Sequence, residues 1–122
     1  RVIALPHLGA STSEAEENCA IMIAKQVKDY LEHGNIVNSV NFPDSKMPRA
    51  GEERLAITHR NVPNMVRQIT KEIAEEDANI VDMLNKSRGD FAYTLIDIEK
   101  EIPKTVIENI KQVEGILKVR TL

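Results

Sequence analysis

The chain carries three histidines and one cysteine; with a few asparagines, they hold most of its capacity for chemistry. His7 lies in Pro6-His7-Leu8-Gly9-Ala10. An imidazole in such a turn can pass a proton near neutral pH, or it can be an ordinary turn residue. A second concentration is His59-Arg60-Asn61-Val62-Pro63. Asn61 offers both a donor and an acceptor, which suits either end of a zwitterion. The unpaired N–H groups of a helix opening near Pro63 would favour a carboxylate. Asn64 follows that proline, and Asn79 precedes an apolar stretch. Plainer roles exist: Asn61 as a helix cap, Asn79 as the end of a turn, and His59 as an exposed strand-end residue. His33 reads as a cation near a helix C-terminus, and Cys19 as a core residue on an apolar stripe. A single cysteine forms no internal disulfide and no multi-cysteine metal site, so no metal is expected.

The elements that must position these residues follow from periodicity. Arg1 to Leu5 reads as a buried strand cut from something upstream, which suggests a fragment. A long helix comes next, with Ser11 or Ser13 as its N-cap and Glu14 and Glu16 three residues on. Ala15, Cys19, Met22, Ile23, Val27, Tyr30 and Leu31 form one stripe, and Gly34 suits a left-handed C-terminal cap. Ile36-Val37 and Val40 suggest an extended stretch. Phe42 to Gly51, with two prolines, a glycine and charges, reads as a linker. Beyond it, Arg54–Thr58 alternates as a strand and Pro63 opens a helix through Ile73. Ile80–Asn85 is a strand, Gly89-Asp90 a hairpin turn, and Phe91–Ile98 a strand apolar on both faces. Pro103 opens a second helix, ended by Gly115, and Ile116–Leu122 is a last strand. The order β-α-β-β-α-β specifies an α+β, ferredoxin-like fold: four antiparallel strands with both helices on one face. The other face should lie partly bare or meet a partner.

Bulk properties exclude several function classes. Net charge is -3 and aromatics are 3%, which disfavours a phosphate-neutralising surface or a base-stacking platform, so no nucleic-acid partner is expected. No apolar run approaches a membrane span, usually about 20 residues, so no membrane partner is expected either.

Particular residues carry a resemblance. Pro6-His7-Leu8-Gly9-Ala10-Ser11-Thr12, followed by Glu14-Ala15-Glu16 and Asn18, resembles the catalytic-histidine loop of the D-2-hydroxyacid dehydrogenases. Val40-Asn41-Phe42-Pro43 is similar to the branch of that family that oxidises 3-phosphoglycerate in serine biosynthesis, whose members continue into a C-terminal ACT domain. The βαββαβ segment, with His59, Asn61 and Pro63, looks like such a domain. The resemblance implies that residues 1–50 end the catalytic region, as histidine loop, long helix and linker, and that residues 51–122 are the ACT regulatory domain. It implies that His7 is the general acid/base for the substrate's 2-hydroxyl in the full-length enzyme, with NAD as the cofactor there.

No cofactor is expected in this chain alone, because Gly9, Gly34, Gly51, Gly89 and Gly115 lie too far apart for a G-x-G-x-x-G cradle. The chain by itself should therefore oxidise nothing. The resemblance further implies a cytoplasmic homo-oligomer joined through its ACT domains. An amino-acid effector, L-serine, would be held between two copies by His59, Asn61 and Asn79, and the segment from Phe42 to Gly51 would act as a hinge. Where the family pattern usually has glycine, this chain has Asn64, which could narrow the pocket or add a contact. Two alternatives stay open: an ACT-like dimerisation module without a ligand, and an amino-acid-binding regulatory domain of another enzyme.

Overall fold

The computed structural model describes residues 1–9 and 11–122; Ala10 of the histidine turn lies outside the described residues. Helix α1 spans Ser13–His33. Its N-cap is neither of the expected serines but Thr12 between them. The Thr12 backbone is extended and its hydroxyl accepts the Ala15 N–H at 3.1 Å, satisfying one orphan donor of the first turn. At the other end Gly34 takes φ 71° and its N–H donates to the Tyr30 carbonyl, a left-handed cap. Arg1–Leu5 is not a strand. Among the described residues no strand pairs with it, and Val2, Ile3 and Leu5 are exposed.

The remaining elements follow the expected order: β1 Glu53–Arg60, α2 Met65–Ala74, β2 Ile80–Arg88, β3 Phe91–Ile98, α3 Lys104–Gln112 and β4 Ile116–Thr121. They form one sheet in the order β2-β3-β1-β4, antiparallel throughout. A register shift between Ile80 and Asp82 bulges the start of β2, and another between Thr58 and His59 interrupts the β1–β4 ladder. Leu55, Ile57, Ile96, Ile98 and Val119 face Ile69, Ile73, Val106 and Ile110 of α2 and α3 in the main core. The i, i+4 spacing of Ile69 and Ile73, and of Val106 and Ile110, puts each pair on one helix face.

The opposite sheet face is not bare. Residues 34–50 fold back across it, so Ile36 and Met47 pack on Ala56, Tyr93 and Leu95, flanked by Tyr30, Phe42, Leu84 and Leu122. This explains why β3 is apolar on both sides. The expected extended stretch reduces to one isolated bridge, Ile36 with Ser45. Asn35 is buried; its amide donates to Asp29 Oδ1 at 2.9 Å and its carbonyl oxygen accepts the Met47 N–H at 3.1 Å.

Beneath this layer lies a fully buried ion pair between cross-strand neighbours Arg54 and Asp97. Arg54 Nε and Nη2 donate to Asp97 at 2.5 and 2.7 Å, and Nη1 donates to the carbonyls of Met47 and His33 at 2.8 and 3.0 Å. The Ala50 N–H donates to Asp97 Oδ2 at 2.8 Å. Burial pushes the Asp97 carboxyl up, but hydrogen bonds from Arg54 and Ala50 and the charges of Arg54 and Arg49 outweigh it and hold the group below its ordinary value.

The segment expected to be a hinge is therefore packed down. Gly51 shows how tightly: a Cβ there would lie 2.4 Å from the Ile98 carbonyl oxygen. Gly51→Ala must push two backbones apart. It is expected to lower stability by about 1–3 kcal/mol, the usual cost of overpacking, read as a lower urea midpoint at unchanged slope. A midpoint equal to that of the unsubstituted chain would mean that residues 49–52 are looser than described.

Candidate functional site

β1 ends where three turns meet. The Arg60 N–H donates to the Gly115 carbonyl and the Asn61 N–H to the Asp90 carbonyl, each at 2.8 Å. The Asn61 side-chain amide donates to the Gly89 carbonyl at 3.1 Å. The β1–α2 loop is thus tied to the hairpin and to the turn before β4. Asn61 is not the helix cap. That position is Asn64, at φ 67° and with no side-chain capping bond. A left-handed backbone is easy for glycine and tolerable for asparagine. That backbone requirement explains why asparagine can stand at a position where the resemblance leads one to expect glycine, whatever the residue does for a ligand.

His59 is buried, not an exposed strand-end residue. Its Nδ1 lies 2.9 Å from the Arg60 carbonyl, which only accepts, so Nδ1 donates there. Its Nε2 lies 2.8 Å from Thr94 Oγ1, and Thr94 bonds Asn85 Oδ1 at 2.8 Å. Both ring nitrogens are engaged within the fold. Any direct contact between His59 and a ligand would have to displace one of these bonds. Thr94 and Asn85 were not singled out from the sequence. Their alternation with Ile96 and Met83 put them on the helix-facing side, but only the strand register brings them to His59.

Asn79 sits elsewhere. Its backbone and side-chain N–H groups both donate to Glu99 at 3.2 Å, and β2 begins beside the end of β3, whereas His59 pairs with Ala92 near the start of β3. His59, Asn61 and Asn64 share one end of the sheet, and Asn79 lies at the other. β2 is an edge strand, and Ile80, Val81 and Met83 on it are exposed.

A groove of about 450 Å³ opens beside the β1–α2 loop, lined by Arg60, Pro63, Met65, Gln68, Glu114 and Gly115. It presents both signs of charge over an apolar floor. A second cavity, about 410 Å³, lies on the far face among α1, residues 35–42 and the sheet; Gln26, Asn35, Ser39, Phe42, Thr58 and Tyr93 contribute to it.

His7 is exposed in the stretch before α1, and among the described residues no carboxylate lies within ion-pair distance of it. His33 occupies the last turn of α1, 3.8 Å from Glu32. Cys19 is exposed rather than in a core, because nothing covers its part of α1. Among the described residues no group of three His, Cys, Asp or Glu side chains could hold a metal, and no helix is long and apolar enough to cross a membrane.

No protein-family model matches the chain. Comparison with curated proteins is decisive. The chain is 31% identical over 123 residues to D-3-phosphoglycerate dehydrogenase of Escherichia coli K12, covering 99% of this chain and 30% of the relative. Over nearly its whole length the chain is similar to the C-terminal region of the D-3-phosphoglycerate dehydrogenases. D-3-phosphoglycerate dehydrogenase 2 of Saccharomyces cerevisiae is 32% identical over 130 residues, covering 99% of this chain and 27% of the relative. The chain thus spans less than a third of the length of these phosphoglycerate dehydrogenases. Among solved structures, the ACT domain from GTP pyrophosphokinase of Chlorobium tepidum superposes with a TM-score of 0.51 at 20% identity, covering 57% of this chain and 95% of that one. At that identity the likeness concerns fold alone, and the fold is the expected ferredoxin-like ACT type.

Proposed function

We propose that the chain is the C-terminal regulatory portion of an NAD-dependent D-3-phosphoglycerate dehydrogenase and that its ACT domain binds an amino acid, L-serine, between two copies. His7 would serve as the acid/base of the longer, cytoplasmic enzyme. The observation that carries the reading is the placement of Asn61 and Asn79 at opposite ends of a sheet that has β2, with Ile80, Val81 and Met83 exposed, as one of its two edges. If two copies pair antiparallel along β2, the Asn79 end of one comes beside the Asn61 end of the other, and the join hides an exposed edge. Arg60 and Glu114 in the adjoining groove add charges that suit the two ends of a zwitterion. A ligand bridging two copies stiffens the joint; coupling of this kind is typically worth about 1–3 kcal/mol.

Titration calorimetry on the chain tests this. L-Serine is expected to give saturable heat, and Asn61→Ala or Asn79→Ala is expected to weaken it about tenfold or more, since each leaves polar ligand atoms unpaired. The two variants mixed should regain tight binding at one site per dimer, because one of the two junctions in a mixed pair keeps both asparagines. No heat at millimolar serine removes the sensor role. Two variants that fail alone and also when mixed would place the ligand within one copy.

The enclosed His59 ring and the commitment of the Asn61 amide to Gly89 favour a second reading, a dimerisation module without a ligand. Sedimentation would then show a dimer whose strength is indifferent to serine.

A further inference from the structure

We infer that Glu99 is a positioning residue of the ligand site proposed above: it turns the Asn79 side-chain amide so that its oxygen is left for a ligand, and the site therefore takes hold of an ammonium group. The orientation is read from the fold alone. The preference for an ammonium rests on the proposed binding of an amino acid between two copies.

Glu99 directly follows β3 and Asn79 directly precedes β2, so they meet at the start of the β2–β3 ladder, beside the Ile80–Ile98 pair. Hydrogen bonds run both ways between them. The Glu99 N–H donates to the Asn79 carbonyl at 3.1 Å. In return the Asn79 N–H donates to Glu99 Oε1 and Asn79 Nδ2 donates to Glu99 Oε2, each at 3.2 Å. The oxygen and nitrogen branches of an asparagine amide have nearly the same shape, so the group can ordinarily face either way. Here it cannot. A carboxylate only accepts, so the nitrogen branch must point to Glu99 and the oxygen branch away from it.

Asn61 is set in the same sense. Its Nδ2 donates to the Gly89 carbonyl, another group that only accepts, and its N–H donates to the Asp90 carbonyl. Among the described residues no protein group donates to the Oδ1 of either asparagine, and both residues are exposed, as is Glu99. Two copies paired along β2 would bring an asparagine oxygen from each to one junction, with the Glu99 charge behind one of them. Paired acceptors beside a negative charge suit an ammonium, which only donates, and they repel a carboxylate. The carboxylate end of the ligand is left to Arg60 in the adjoining groove. A site of this polarity distinguishes a 2-amino acid from the 2-hydroxy acid of the same skeleton.

Glu99→Gln is the discriminating variant. A glutamine amide has one accepting and one donating branch. Its oxygen can take the Asn79 N–H only if its nitrogen meets Asn79 Oδ1, which turns the Asn79 amide round. The orientation is tested without ligand by nuclear magnetic resonance. In the unsubstituted chain an Asn79 side-chain amide proton should show an Overhauser contact with the Glu99 γ protons. Glu99→Gln should lose that contact while the backbone amides of Ile80 and Ile98 keep their positions. The ligand preference is tested by titration calorimetry with L-serine and with L-glycerate, which has a hydroxyl in place of the ammonium. The unsubstituted chain should bind L-serine about tenfold or more tightly than L-glycerate. Glu99→Gln should lose about that factor for L-serine and nothing for L-glycerate, at an unchanged urea midpoint. An unsubstituted chain without the Asn79–Glu99 contact overturns the inference whether or not a ligand binds. Equal loss for the two probes, or no loss for L-serine, overturns the ammonium preference and leaves Glu99 a merely structural residue. If the contact is present and neither probe binds, the amide orientation stands, while the sensor reading falls and the ammonium preference with it.

Discussion

Asp97→Ala is expected to cost about 3–5 kcal/mol, because it leaves the Arg54 guanidinium charged, enclosed and without its carboxylate. A domain of this size holds only about 5–15 kcal/mol in total, so the variant should sit near the edge of folding. The loss reaches beyond one pair: Asp97 also accepts the Ala50 N–H, and Arg54 steadied by Asp97 reaches the His33 and Met47 carbonyls. Urea denaturation followed by circular dichroism should show the drop, and near-ultraviolet signals from Tyr30 and Tyr93 should fade first. A loss under 1 kcal/mol would mean that water reaches the pair.

The same pair predicts an acid limb. The Asp97 carboxyl is held below its ordinary value of 3.8, so the folded state binds that proton less readily than the unfolded chain. Its stabilisation is complete above the ordinary aspartate range and disappears as pH falls through the lowered folded value. Between neutral pH and pH 5 Asp97 should therefore add no pH dependence to stability, whereas below about pH 4 the unsubstituted chain should lose stability more steeply than Asp97→Asn. Parallel acid limbs for the two proteins would assign the acid sensitivity to other carboxylates. Tyr93, whose hydroxyl is pushed well above the ordinary range by burial, and further by Tyr30 against the opposing pull of Arg120 and Arg54, stays a neutral donor to Gly34 throughout.

On the proposal that His7 is the acid/base of a longer enzyme, His7→Asn in that enzyme is expected to lower turnover by about 10²–10⁴-fold, the span that a positioned general acid/base contributes. Asparagine keeps hydrogen-bonding capacity but cannot carry the proton of a 2-hydroxyl. The loss should fall on kcat more than on KM, and the pH–rate profile should lose the limb that depends on this acid/base. Retention of most of the turnover, with that limb intact, would return His7 to the role of an ordinary turn residue. His59→Asn should leave the limb in place, since His59 lies within the ACT fold, bonded to Thr94 and Arg60.

What the sequence determined by itself was the set of elements and their order. Periods of two and of three to four residues reflect which side chains must be apolar, and that is local. Leu55 with Ile57, Ile69 with Ile73, and the turn at Gly89-Asp90 declared a strand, a helix and a hairpin without reference to partners. The strand-to-helix junction at His59–Pro63 was legible for the same reason, whereas the histidine loop stood out only through its resemblance to a known family. Expectations failed where a residue's role depended on something distant in the chain. Arg1–Leu5 had a strand's composition but found no ladder. Cys19 lay on an apolar stripe that covers no core. The run from Phe42 to Gly51 had a linker's prolines and charges, yet it lies pinned to the sheet. Arg54 was legible only as the start of an alternating strand; the register with β3 is what brings Asp97 opposite it. Periodicity tells a side chain which way to face, whereas its partner is chosen by strand register and chain return; only the folded molecule settles what lies on the other side.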